Sequence, residues 1–217
     1  MPKVFPIWLL LSLAALGIGW ASATDTTQLV SDADVAQAKK DYGLLAGRRM
    51  QAWQDLIRDN QRKPERLKLQ KVNDFFNQVA YKTDIEHWGQ KDYWSTPTEL
   101  LGTDGGDCED YVIAKYFTLK ALGVAEEKLY LTYVKALRPR QAHMVLTYFK
   151  TPTAQPLVLD NINTRILPAA QRRDLIPVYS FNGDGLWVAK QRGKGKAVDG
   201  GTQKLKNWQS LLRKMDQ

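Results

Sequence analysis

Apolar positions along the chain change period near its middle. From Ser31 to Val79 and again from Asp107 to Leu122 they recur at helical spacing, and beyond Gly123 they fall in short blocks or alternate. Ser31, with Asp34 three residues later, marks a capping-box start and predicts a polar helix reaching about Tyr42. Gly43 and Gly47 weaken the stretch that follows. Met50, Trp53, Leu56 and Ile57 then predict a helix over 48–59. Pro64 suits the first turn of another, with Leu67, Leu69, Val72, Phe75, Phe76 and Val79 on its apolar face. Residues 81–106 lose the period. They hold His87, Trp88, Tyr93, Trp94 and Pro97, and read as an aromatic-rich connection with one helical turn from Pro97. Helical spacing resumes over 107–122, with Gly123 as a C-terminal cap.

The second half is rich in Val, Leu, Thr and Tyr. Strands are expected at 129–136, 142–149 and 155–160, and shorter ones at 165–167, 178–181 and 186–190. Residues 192–202 are rich in Gly and Lys, and 205–215 read as a closing helix. Helices followed by an antiparallel sheet define one α+β domain. Its helical part covers about 31–123, its mainly β part about 124–190, and a basic loop with the closing helix about 191–217.

The first residues stand apart. Lys3 precedes an apolar run from Val4 to Trp20, and Ala21-Ser22-Ala23 supplies small residues at signal-peptidase spacing. Residues 1–23 therefore read as a secretory leader, with 24–217 as the mature domain and no transmembrane anchor after cleavage. The alternative is an uncleaved anchor, but Pro6, Gly17 and Gly19 make the run marginal for a hydrocarbon core of about 30 Å. Removing the leader takes only Lys3 from a formal net charge of +8. A basic exported protein can meet anionic surfaces, acidic polypeptides or nucleic acid. Lys194, Lys196, Lys204 and Lys206 have little aromatic interleaving, so nucleic acid is not expected as a partner. The chain holds 1 Cys, so no internal disulfide staples it. With 2 His and that single Cys, a structural zinc cluster is not expected.

The densest chemical signal is Gly105-Gly106-Asp107-Cys108-Glu109-Asp110-Tyr111. Asp107 is placed as an N-cap, with Asp110 completing an acidic capping box. Cys108 then opens the helix, where unpaired N–H groups and the positive helix end favour a thiolate. The glycines before it allow another backbone to approach. The plainer reading is a buried structural thiol.

A cysteine nucleophile needs a base, and the base needs a group to orient it. His143 opens one expected strand and Asp160 ends the next. With a turn at 150–153, Leu146 faces Leu157 and His143 faces Asp160, on the same side as Val145 and Val158. Paired residues of this kind have Cβ atoms roughly 4.5–5.5 Å apart. Plainer readings are a half-buried strand histidine and a strand-end Asx turn, and His87 is the competing base. Asp107, Glu109 and Asp110 oppose the helix end, because their charge raises the thiol pKa. A bound cation removes that conflict, and clustered carboxylates suit calcium. Asp92 and Asp104 are further oxygen sources that the spacing does not rank.

The motif from Gly106 to Tyr111, the helix ending at Leu122-Gly123, the upstream Trp88-Gly89 and Asp92-Tyr93-Trp94, and the later His143 and Asp160 together resemble the bacterial transglutaminase-like cysteine proteinases. The likeness spans roughly residues 74–181. It implies a papain/transglutaminase-like cysteine protease fold, with Cys108 as nucleophile, His143 moving the proton and Asp160 orienting the ring. It also implies calcium dependence, with Asp107, Glu109 and Asp110 as metal ligands. Its implied substrate is a large cell-surface adhesin, cut in the periplasm near its N-terminus at a di-alanine site to release a biofilm. Its implied inhibitory partner is an inner-membrane cyclic di-GMP receptor. The same three residues also serve transglutaminase-like acyl transfer. A non-catalytic periplasmic binding protein is the reading from another class.

Overall fold

A computed structural model describes residues 29–188 and 195–216. The expected leader, the end of the strand expected at 186–190 and the start of the Gly- and Lys-rich run lie outside these residues. The expected helices are present and two are longer. Helix α1 (Asp32–Tyr42) starts at Ser31, whose Oγ accepts the Asp34 N–H at 3.2 Å while Asp34 accepts the Ser31 N–H at 2.7 Å. Helix α2 (Leu44–Asn60) runs straight through Gly47. A Cβ there would lie 2.8 Å from the Lys39 Cβ, so the residue that weakens helix propensity is the one that lets α1 lie close. Pro64 caps α3 (Glu65–Phe76) from just outside its first turn.

The aromatic connection holds two short helices where one was expected. Helix α4 (Asp84–Trp88) is capped by Thr83 and Glu86, and α5 (Pro97–Thr103) by Thr96 and Glu99. Both are capping boxes, which supply the missing N-terminal acceptors that so short a helix needs. Next comes α6 (Cys108–Ala121), buried almost all round: Tyr111 to Tyr116, Thr118 and Leu119 are all inaccessible. A helix enclosed on every side loses its amphipathic stripe. It is covered on one flank by α7 (Lys206–Met215), whose Trp208 stacks on Phe117 at 5.9 Å.

The sheet has six strands in the order β4-β3-β2-β1-β5-β6: β1 (Leu129–Leu137), β2 (Arg140–Tyr148), β3 (Leu157–Leu159), β4 (Leu167–Pro168), β5 (Leu175–Asn182) and β6 (Gly185–Val188). Every neighbouring pair is antiparallel. Leu129, Leu131, Met144, Leu146 and Leu159 join the helices in one core. Val134, Val145 and Val158 form a second, smaller cluster on the other face. This is the α+β arrangement expected from the change of period.

The β2–β3 register departs from expectation. Leu146 faces Leu159 rather than Leu157, because the connection is longer than a four-residue turn. The shift is two residues, and side chains on a strand alternate with a period of two. Val158 and the residue two beyond it therefore stay on the face of Val145 and His143.

Candidate active site

The turn before α6 is built by close backbone contact. The Gly106 N–H donates to the Ala80 carbonyl at 3.3 Å, and its own carbonyl accepts from Lys82 at 2.9 Å. A side chain on Gly106 would collide, its Cβ lying 2.5 Å from Asp110 Oδ2 and 2.7 Å from Leu100 Cδ1. The approach expected from the glycine pair is real. Asp110, buried at 1 % exposure, ties the segment before α5 to this turn. Its Oδ1 accepts the Ser95 N–H at 2.8 Å and its Oδ2 the Asp107 N–H at 3.1 Å.

Cys108 thus opens α6 at the foot of the sheet. Beyond Leu159 no residue of β3 pairs with β2, and Met144 of β2 lies near Cys108, whose Sγ donates to Glu109 Oε2 at 3.0 Å. The residue before Met144 is His143, 1 % exposed. Its Nε2 lies 2.8 Å from Asp160 Oδ1, while its Nδ1 is buried with no hydrogen-bond partner among the described residues. The pairing of His143 with Asp160 therefore survives the changed register, made across the end of β3 rather than straight across a ladder. His87 is engaged elsewhere: its Nε2 meets Thr103 Oγ1 at 2.8 Å and its ring packs edge-on against Trp88.

Asp160 is held from every side. Oδ1 also accepts the Ile162 N–H at 3.0 Å, and Oδ2 accepts Arg172 Nη2 at 2.7 Å. Its backbone carbonyl accepts Asn77 Nδ2 at 2.9 Å and Lys115 Nζ at 3.3 Å. Burial alone pushes this carboxyl up. The hydrogen bond and charge of His143, the Ile162 N–H and Arg172 outweigh it and hold Asp160 below the ordinary carboxylate range. Lys115 sits two turns along α6 from Cys108, on the same side, so the cysteine's helix also carries a donor to Asp160. Burial lowers Lys115 to about 7 against the opposing pull of Asp160 and Asp74.

The acidic turn behaves differently. Burial first, then Glu109 and Asp107, push the Cys108 thiol well above its usual value, with the Met144 N–H working the other way. In the absence of a cation the acidic field and burial win over the helix end. The carboxyls themselves are raised. Burial and Glu109 lift Asp107, burial lifts Glu109, and burial pushes Asp110 up to about 7. Asp84, absent from the sequence-based candidates, joins them. It is raised by burial, accepts the Tyr93 N–H at 2.5 Å through Oδ2, and leaves Oδ1 buried without a partner. Asp107 Oδ1 is orphaned in the same way. Ligand atoms of Asp84, Asp107 and Asp110 lie within 4.8 Å of one another, as do those of Asp107, Cys108 and Glu109. Buried carboxylate oxygens with no donor fit a hard cation. Asp92 is near enough to raise Asp84 and Asp107, whereas Asp104 pairs with Arg49 at 3.5 Å. The aromatic residues divide: Trp94 stacks on Phe181 toward the core, and Trp88 with Tyr93 borders the acidic turn.

With this geometry in hand, the comparisons decide the lineage. The family model for bacterial transglutaminase-like cysteine proteinases matches residues 49–192. The chain belongs to that family. It is accordingly a cysteine peptidase by descent, and its fold is that of a transglutaminase-like protease. Legionella pneumophila LapG is 42% identical, with a TM-score of 0.74 over 87% of this chain and 99% of that one. Its calcium-bound form gives 0.73 at 42% identity over 86% and 99%, and its EGTA-treated form 0.76 at 42% over 87% and 99%. A comparison with curated protein sequences gives no match. Among the described residues no helix is long and apolar enough to cross a membrane.

Sequence reasoning missed Asp84, Lys115 and Arg172. The Thr83–Glu86 capping box was visible and would have placed Asp84 on a helix; nothing local marks the other two.

Two substitutions test this construction. Gly106→Ala is expected to destabilise the fold by about 1–3 kcal/mol through forced overpacking, read by urea unfolding. Lys115→Met, which removes the donor to Asn73, Asn77 and Asp160, is expected to cost ~1–3 kcal/mol. Between about 7 and the ordinary lysine value of 10.5 the unfolded chain binds the extra proton, so this lysine's contribution to stability rises with pH there. The gap between wild type and variant should therefore widen from pH 7 to pH 10; a constant gap would contradict the assignment.

Proposed function

We propose that the protein is a calcium-dependent endopeptidase in which Cys108 is the nucleophile, His143 the proton carrier and Asp160 the residue that orients it. One observation carries this reading. His143, next to the Met144 that influences the Cys108 thiol, is fixed through Nε2 on a buried aspartate, and its Nδ1 has no partner among the described residues. Cys108 is also the sole thiol of a cysteine peptidase.

In this mechanism His143 takes the thiol proton and the sulfur attacks a peptide carbonyl. The imidazolium formed is stabilised by Asp160, whose charge is secured by Arg172. His143 then protonates the departing amine. Water, deprotonated by the same imidazole, hydrolyses the acyl-enzyme and restores the thiol. Backbone N–H groups at the start of α6 are suited to receive the oxyanion. Asp107, Glu109 and Asp110 are the proposed calcium ligands, with Asp84 as an addition. Asp110 has both oxygens committed to backbone donors, so its contribution is partly structural. Bound calcium supplies positive charge that offsets the acidic field on the thiol.

The family resemblance supplies the wider setting. Residues 1–23 are a leader removed on export to the periplasm. The substrate is a large surface adhesin cut near its N-terminus at a di-alanine site, which releases the biofilm. An inner-membrane cyclic di-GMP receptor is the inhibitory partner.

The test is cleavage of an adhesin N-terminal fragment by the 24–217 protein, with calcium, with a chelator and with variants. Scission is expected only with calcium, absent in Cys108→Ala and slowed roughly 10²–10⁴-fold in Asp160→Asn. An intact fragment in the presence of folded protein and calcium would reject the substrate. Full activity of Cys108→Ala would reject the mechanism.

Calcium should also act on stability in a pH-dependent way. Asp110, raised to about 7, keeps in the folded state a proton that the unfolded chain releases near its ordinary value of 3.8. Without a cation, its contribution to stability therefore falls as pH rises through that window. Calcium favours the ionised carboxylates, so its increase in Tm should be larger at pH 7.5 than at pH 5.5. Equal shifts at both pH values, in scans with calcium against EGTA, would speak against a carboxylate site.

A further inference from the structure

The sheet face that packs on the helices continues past them. Along β1, Leu129 and Leu131 lie in the core, and Tyr133, the next residue of that parity, is half-buried at its edge, as is Cys108. Lys135 and Leu137 extend the same face and are exposed. Along β2 the change is the same: Leu146 and Met144 are buried, then Ala142 and Arg140 are exposed. The ladder pairs Tyr133 with Met144, Lys135 with Ala142 and Leu137 with Arg140, without a shift. Paired residues share a face. A bare shelf of roughly 14 Å, at about 3.4 Å per residue, therefore runs from beside Cys108 to the tip of the hairpin.

The near end of the shelf is aromatic. Tyr133 stacks on Tyr179, with ring centroids 5.1 Å apart and planes 2° from parallel. Burial first, then Tyr133, Asp92 and Glu109, raise Tyr179, which sets the pair beside the acidic turn. The far end is cationic. Lys135, Arg138 and Arg140 are exposed, and among the described residues none of them forms an ion pair. Asp174, whose carbonyl accepts the Leu137 N–H at 2.8 Å, spends its carboxylate on Arg172. Cations left unpaired along an apolar strand face favour a guest of opposite sign. The shelf is one strand pair wide and continuous with the nucleophile, which suits an extended peptide rather than a broad anionic surface.

We propose that this shelf receives one flank of the substrate polypeptide, with an apolar residue over Tyr133 and carboxylates over Lys135 and Arg140. The proposal rests on the reading of Cys108 as a peptidase nucleophile. An extended chain turns alternate residues to one face. Away from the scissile bond, the preferred flank is therefore apolar, any, acidic, any, acidic.

Binding is measured apart from catalysis, on the calcium-loaded Cys108→Ala protein. Fluorescein-labelled Ala-Ala-Leu-Ser-Asp-Ser-Asp and Asp-Ser-Asp-Ser-Leu-Ala-Ala supply the flank on either side, and anisotropy reads their affinity. At least one is expected to bind roughly tenfold or more tighter than its Asn-for-Asp counterpart, with the preference shrinking in high salt. In the Lys135→Glu/Arg140→Glu background the preference should vanish, and a Lys-for-Asp peptide should bind better than the acidic one. Both sites are exposed, and circular dichroism checks that the fold is unchanged. With the wild-type enzyme the acidic peptide should compete with the adhesin fragment, raising KM at constant kcat. No binding, equal binding of acidic and neutral peptides, or a preference that survives charge reversal would overturn the proposal. Binding without competition would overturn the assignment of the shelf to substrate. An uncut fragment would reject the peptidase substrate separately, since the anisotropy preference tests the shelf alone.

Discussion

The arrangement depends on one buried carboxylate. Asp160 has no solvent to share its charge with, so the protein surrounds it with a histidine, a backbone N–H and a guanidinium, while two further side chains hold its carbonyl. A charge so enclosed is tolerated only when each oxygen is satisfied. Meeting that demand draws in the C-terminal cap of α3 through Asn77, α6 through Lys115, and the segment before β5 through Arg172. The His143 ring is consequently fixed by the same contacts that join helices to sheet. Fold and site are here one network, and loosening either loosens both.

The acidic turn poses the opposite problem. Around Asp160 cations are abundant; among the described residues none of Asp84, Asp107, Glu109 and Asp110 forms an ion pair, and these buried carboxyls push one another and the thiol upward. The protein thus holds two anionic centres close together, one neutralised internally and one open to an external charge. That asymmetry makes a cation requirement physically reasonable. It agrees with the existence of calcium-bound and EGTA-treated forms of the 42% identical LapG.

Much of this was legible in the sequence because its causes are local. Capping boxes, a change from helical to alternating period, and a cysteine behind two glycines each declare themselves within a few residues. The short helix at Asp84 was legible in principle, through Thr83 and Glu86, but the aromatic residues around it obscured its period. Arg172 and Lys115 were not legible. Their roles come from contacts made across 12 and 45 residues of chain, and nothing in their immediate neighbours announces burial. The β2–β3 register failed for a related reason. Strand pairing was inferred from an assumed turn, and turn length is weakly encoded when Thr, Pro and Ala replace the usual Asn-Gly signals.

That failure was harmless to the chemistry, and the reason reaches beyond this chain. A pleated strand distinguishes odd from even and little else. Sliding β3 by two positions along β2 keeps Asp160 on the face of His143, whereas sliding it by one turns the carboxylate into the helix-packed core. A change in the length of the connecting loop is therefore filtered by parity. Length changes absorbed in the loop cost little, those that move the strand are tolerated in pairs, and a single-residue slip is lethal to the site however well the rest of the domain folds.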